Sequence, residues 1–182
     1  MTPAPALTRK TIALVGLMGV GKTSIGRRLA AALGLPFRDA DEEIERAAGS
    51  TVAEIFATRG EAEFRDGERR VIARLLDEPP QVLATGGGAF VQPQTRALIK
   101  AKAVSIWLTA DVDLLVKRVA RKDHRPLLKG KDPRQVLEQL AAVRNPAYAE
   151  ADIKVEMTEG SHQQAVDAVL AALTAHLEKQ PS

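Results

Sequence analysis

The chain of 182 residues contains no cysteine. That absence excludes a disulfide framework, a thiolate-held zinc or iron–sulfur centre and a cysteine nucleophile together. Histidine is scarce as well: His124, His162 and His176 are too scattered for a His-rich metal site. Aromatic residues make up 3% of the chain, which leaves no stacking platform for single-stranded nucleic acid. No uninterrupted apolar run approaches the ~20 residues of a membrane-spanning helix. Met1–Lys10 carries no apolar signal-peptide core. What is present is ordinary for a globular protein, 45% hydrophobic and 27% charged. The length favours one domain over residues 1–182, which buries roughly 70% of its extended surface and needs no staples. The expectation is a soluble, cytoplasmic protein without membrane or nucleic-acid partners.

The net charge is +3, but its distribution is uneven. Between Lys117 and Arg144 nine Lys and Arg face three Asp and Glu, so the remainder is net acidic. Positive charge concentrated in one segment suggests a small anionic ligand met locally.

After a Pro/Ala-rich lead (1–10), strand and helix patterns alternate. The apolar run Thr11–Val15 predicts a buried strand, and Thr23–Leu33 a helix with Ile25, Leu29 and Leu33 on one face and Gly34 as its stop. Pro36–Asp39 is a second strand candidate, with a helix beginning near Glu42. Thr51 and Glu54 have capping-box spacing for a helix through Ala57. Helices are predicted over Glu61–Leu76, Pro93–Lys100, Asp111–Arg121 and Ser161–Leu177. Asp132-Pro133 opens another, with aspartate as cap and proline in the first turn. Strands are predicted over Gln81–Thr85, Ala103–Leu108 and Ile153–Met157, and Lys122–Lys131 reads as an exposed basic loop. Five strands alternating with helices imply an α/β fold whose parallel sheet is covered on both faces.

The sharpest local signal is Gly16-Leu-Met-Gly19-Val20-Gly21-Lys22-Thr23, followed by Ser24, directly after a strand and directly before a helix. Glycines let backbone N–H groups curl around phosphates, Lys22 can reach the β and γ groups, and Thr23 can ligate Mg²⁺. A GTPase would need an Asn-Lys-x-Asp guanine reader, yet the only asparagine is Asn145, followed by Pro146. A motor would end a later apolar strand in an acid, whereas Val82-Leu-Ala84 runs into Thr85 and glycines. A small-molecule kinase remains, and such an enzyme needs a lid that excludes water, a role that the loop 122–131 suits. Asp39 and Asp41, two apart in an extended stretch, would project into one cleft, one toward the Mg²⁺ shell and one toward the acceptor hydroxyl. Arg65 beside Phe64, the run Gly86-Gly87-Gly88, Arg125-Pro-Leu-Leu128 and Arg144-Asn-Pro-Ala-Tyr148 are each weak signals alone.

Taken together, in this order and spacing from Thr11 to Leu177, these elements resemble shikimate kinase. The resemblance implies a P-loop kinase fold similar to the nucleoside monophosphate kinases, a five-stranded parallel sheet flanked by helices. It also implies ATP-dependent phosphorylation of the 3-hydroxyl of shikimate in aromatic amino-acid biosynthesis, with Mg²⁺ as cofactor and a monomer as the working unit. By the same resemblance, Gly19, Val20, Gly21, Lys22, Thr23, Ser24, Arg118 and the lid residue Arg125 serve ATP, with Arg118 against adenine. Thr23 and Asp39 serve the metal; Lys22, Asp41 and Arg125 are catalytic; Asp41, Arg65, Gly86, Gly87, Gly88 and Arg144 hold shikimate. Two arginines suit a planar carboxylate through forked donors.

Three features depart from the family pattern. Thr23-Ser24 reverses the commoner order, Gly67 interrupts the helix bearing Arg65, and Met157–Gln164 leaves the adenine contacts open. Rival readings are a kinase resembling gluconate kinase, whose acceptor also carries a carboxylate, and a catalytically silent nucleotide-binding protein. The triple glycine and Phe64-Arg65 favour shikimate over the first. The presence of Asp41 and Arg125 argues against the second.

Overall fold

The computed structural model describes residues 9–121, 128 and 130–180. The lead up to residue 8 and most of the expected lid, Arg125 included, lie outside the described residues. In chain order the elements are β1 (Thr11–Val15), α1 (Lys22–Leu33), β2 (Phe37–Asp39), α2 (Ala40–Ala48), α3 (Val52–Arg59), α4 (Glu61–Leu76) and β3 (Val82–Ala84). A 3₁₀ turn (Ala89–Val91) follows, then α5 (Pro93–Lys102), β4 (Ala103–Thr109), α6 (Val112–Ala120), α7 (Pro133–Tyr148), β5 (Ile153–Glu156) and α8 (His162–Glu178).

The five strands form one sheet in the order β2-β3-β1-β4-β5, with every neighbouring pair parallel. Ile12 pairs with Val82 on one side and Val104 on the other, so β1 is central. β1 and β3 are buried at every position, which requires cover on both faces and explains their unbroken apolar runs. β5, at the sheet edge, alternates buried and exposed residues instead. Helix α1 packs along β1, β2 and β3 and against α8, while α5 packs on β4 and against α4.

Local chemistry sets the helix ends. Thr51 with Glu54 and Ser161 with Gln164 form complete capping boxes, and Asp132 caps α7 ahead of Pro133. Pro146 lies inside α7, yet the helix continues to Tyr148. One expectation is corrected: Asp41 is not in an extended stretch. β2 stops at Asp39, whose side chain caps α2, so Asp41 stands in the first turn of a helix. The phosphate-type loop follows β1, Asp39 ends β2 and Gly86 follows β3. All three therefore lie at the carboxyl edge of the sheet, where parallel α/β folds hold ligands.

Candidate active site

The loop between β1 and α1 is shaped by glycine. Gly16 has φ +145°, and a Cβ there would lie 2.5 Å from the Leu108 carbonyl oxygen, so no larger residue fits. Gly21 stands at the N-cap of α1 without any side-chain cap. The N-terminus of α1 therefore meets the loop at the positive end of the helix dipole, which suits an anion. Lys22 Nζ donates to the Gly16 and Leu17 carbonyls at 2.6 and 3.0 Å, which holds the ammonium over the loop. Arg118 Nη1 on α6 donates to the Val20 carbonyl at 2.7 Å and so ties the loop to that helix. The Val20 side chain itself turns into the core, and its N–H is spent within the loop on the Leu17 carbonyl.

Asp39 divides its oxygens between two tasks. Oδ1 accepts from the Asp41 and Glu42 N–H groups as the cap of α2, and Oδ2 accepts from Thr23 Oγ1 at 3.1 Å. The hydroxyl and carboxylate expected at a metal are therefore adjacent. Asp41 has its pKa raised, first by burial and then by repulsion from Asp39, with Lys22 and Arg65 opposing the rise. A carboxylate of raised pKa next to a cleft is suited to accept a proton.

Two guanidiniums close on the glycine turn. A Cβ on Gly88 would collide with the Arg65 guanidinium, and one on Gly87 would lie 2.6 Å from Arg144 Nη1. Glycine lets both guanidiniums lie directly against the turn, and a side chain there would push them off it. Arg65 stacks over Phe64 with 5.2 Å to the ring centroid and donates from Nη1 to Glu68 at 2.9 Å. Its Nε is buried without a hydrogen-bond partner, and the Glu61 carboxylate stays 3.7 Å away, which leaves a donor to spare on a fixed fork. The Tyr148 hydroxyl donates to the Gly87 carbonyl and is hydrogen-bonded to Arg144.

Glu68 is the functional neighbour that sequence reasoning missed. It is 1% exposed, and burial raises its pKa against the pull of Arg65. Asp41 and Arg144 are also close enough to bias it. A signal existed: Glu68 sits four residues after Phe64 on the same stripe as Val71, Ile72 and Leu75. A charge on an apolar stripe needs a partner, and Arg65 is three residues away.

A cavity of about 480 Å³ gathers much of the expected set. Gly19, Gly21, Lys22, Thr23, Ser24, Asp39, Asp41, Gly86, Gly87 and Arg118 are on its wall; Val20, Arg65, Gly88 and Arg144 are not. The last three stand beside the glycine turn, against Gly87 or in contact with one another. Thr158, Gly160, Ser161 and His162, in the segment whose ligand contacts the sequence left open, line the cavity with Arg121. Among the described residues, no three His, Cys, Asp or Glu side chains form a metal cage. No helix among them is long and apolar enough to cross a membrane.

Comparison with known proteins shows the family. The family model for shikimate kinase matches residues 18–174. A shikimate kinase of Caulobacter vibrioides is 68% identical over 167 residues, covering 92% of this chain and 84% of the relative. One from Paramagnetospirillum magneticum is 57% identical over 169 residues, covering 93% and 87%. Among solved structures, shikimate kinase from Acinetobacter baumannii in complex with shikimate superposes with a TM-score of 0.88 at 38% identity, covering 97% of this chain and all of the other.

Proposed function

Because the chain belongs to the shikimate kinase family, we propose a division of labour among its own residues for that reaction. The enzyme transfers the γ-phosphoryl group of ATP to the 3-hydroxyl of shikimate, giving shikimate 3-phosphate and ADP. The observation that carries the assignment of residues is the convergence of Arg65 and Arg144 on Gly87 and Gly88, beside Asp41. A small acceptor with a carboxylate at one end and a hydroxyl at the other suits that arrangement of charges.

The N–H groups around Gly19, Gly21 and the start of α1 cradle the phosphates, and Lys22 neutralises charge on the transferred group. Arg118 bounds the nucleotide on the α6 side, facing the wall of Thr158 to His162. Arg65 and Arg144 hold the acceptor carboxylate, and the glycine turn lets the ring approach the backbone. Glu68 fixes the orientation of Arg65. Asp41 orients the acceptor hydroxyl and takes its proton as the new oxygen–phosphorus bond forms and the bond to the leaving ADP breaks. Thr23 and Asp39 would hold Mg²⁺. Their adjacent hard oxygens, few in number, suit an ion that keeps water and phosphate ligands. Such an ion would supply neutralising charge to the phosphates. Arg125, with the loop 122–131, is assigned to closing over the ATP phosphates. We assign the whole chain to one kinase domain, acting as a cytoplasmic monomer in aromatic amino-acid biosynthesis.

An ADP-release assay against shikimate, gluconate and nucleoside monophosphates tests the reading. Shikimate should stimulate ADP formation well above the ATP-only background. Equal stimulation by gluconate, or none by shikimate, would remove it.

A further inference from the structure

Behind the glycine turn, outside the cavity, lies a charged junction that the phosphoryl-transfer scheme does not use. The 3₁₀ turn Ala89–Val91 is followed, after Gln92, by Pro93 at the start of α5, which has no N–H to offer the carbonyls before it. Arg96, one turn into α5, reaches back instead: its Nη1 donates to the carbonyls of Phe90 and Val91 at 3.2 and 3.1 Å. The Nε of the same guanidinium meets Glu150 Oε2 at 3.1 Å, just beyond the end of α7. The other oxygen of Glu150 is taken by Lys100 Nζ, also at 3.1 Å. Arg96 is largely buried, at 19% side-chain exposure, so solvent screens its bonds less than those of a surface pair.

The three parts joined here are those that build the acceptor end. The 3₁₀ turn continues directly from Gly86-Gly87-Gly88. Helix α7 carries Arg144 and Tyr148, and its end is where Glu150 sits. α5 and α7 both pack against the turn. The turn and the Arg144 side chain approach closely: a carbon on Gly87 would lie 2.6 Å from Arg144 Nη1, so the guanidinium rests directly on the turn. A small shift of α7 relative to the turn would thus move Arg144 away from the acceptor without touching the phosphate loop.

We propose that Arg96, acting with Glu150, is a positioning residue that holds the glycine turn and the Arg144 helix in register, and so sets affinity for the acceptor rather than for ATP. The proposal rests on the shikimate kinase reading above.

Steady-state kinetics with each substrate varied in turn tests it on wild type, Arg96→Met and Glu150→Gln. The wild-type protein must first show shikimate-dependent ADP formation, so that failure of the reading is seen separately from failure of the inference. Arg96→Met should raise KM for shikimate roughly tenfold, since small misplacements at a reacting site are costly. KM for ATP should stay within about twofold. Glu150→Gln, at an exposed position, should shift the shikimate KM in the same direction by roughly two- to threefold. Arg96→Lys should recover part of the loss, because an ammonium can still meet Glu150 but cannot span both carbonyls. If Arg96→Met proves insoluble, the Glu150→Gln split alone decides. Equal changes in both KM values, or a lower melting temperature with an unchanged shikimate KM, would reduce Arg96 to a structural tie and overturn the proposal.

Discussion

On the proposed division of labour, Lys22, Asp41 and Arg144 act on different parts of one reaction, so their removal should leave different signatures. Lys22→Ala takes a donor from the charge that grows on the transferred phosphoryl group, and turnover should fall about 10²–10³-fold. Near-normal turnover in a folded variant would place the nucleotide elsewhere. Arg144→Ala loses a charge-assisted, forked contact worth about 1.5–3 kcal/mol. Titration should show weaker shikimate binding with ATP affinity barely changed, and the reverse would exchange the two roles. Asp41→Asn nearly preserves shape but cannot take the proton, so kcat should drop more than binding; wild-type turnover would leave Asp41 as a bystander. The structure brings these residues beside the two glycine-rich loops that the sequence picks out, although Arg144 alone is a weak signal and its expected role comes from the resemblance. Glu68 was not legible in the sequence, since its partner is set by which face of α4 is buried. Nor was the tie from Arg118 to the Val20 carbonyl, which spans 98 positions.

The elements bearing these residues show how far periodicity reaches. The bounds of α4 and β1 match those expected from the sequence, since a marked apolar stripe and an unbroken apolar run leave little choice. Asp41 was expected in an extended stretch, but the carboxylate of Asp39 captures two N–H groups and starts the helix there instead. Strand order was not legible, because β3 sits between β1 and β2 through pairings that no local pattern encodes. Two glycines in helices make the element scale testable, because they answer different demands. A Cβ on Gly67 meets nothing within 4 Å, so Gly67→Ala should stabilise the fold by about 0.4–1 kcal/mol through the unfolded state. A Cβ on Gly26 would fall 2.6 Å from a ring carbon of Phe37 and 3.2 Å from Leu14, where α1 packs on the sheet. Gly26→Ala should therefore destabilise by about 1–3 kcal/mol despite its better helix propensity. Denaturant unfolding of the pair checks both signs. A destabilising Gly67→Ala would mean that the open space beside this glycine is filled in solution.

Across the whole molecule, one buried hydroxyl couples the sheet edge to the last long helix before β5. Tyr148 is the only tyrosine in the chain, is fully buried, and donates to the Gly87 carbonyl. Burial pushes its phenol from 10.0 up to about 12, with Arg144 and then Arg65 opposing the rise. In the unfolded chain the same group would ionise near its ordinary value. Between about pH 10 and 12 the folded state keeps a proton that the unfolded state has lost, so stability falls as pH rises through that window. Below pH 10 the contribution is fully present. A rise of that size corresponds to roughly 2–3 kcal/mol of wild-type stability lost across the window. At neutral pH the wild type should exceed Tyr148→Phe because it keeps the hydrogen bond to the Gly87 carbonyl, and it should lose that advantage progressively above pH 10 as the phenol is forced to ionise. Urea unfolding of both proteins from pH 8 to 12 measures the convergence. A single tyrosine allows a direct check as well, because the rise in phenolate absorbance belongs to one group. A folded protein whose phenolate appears near pH 10 would mean that Tyr148 is open to solvent. The junction between the glycine turn and α7 would then be looser than the contacts of Arg144 and Gly87 require.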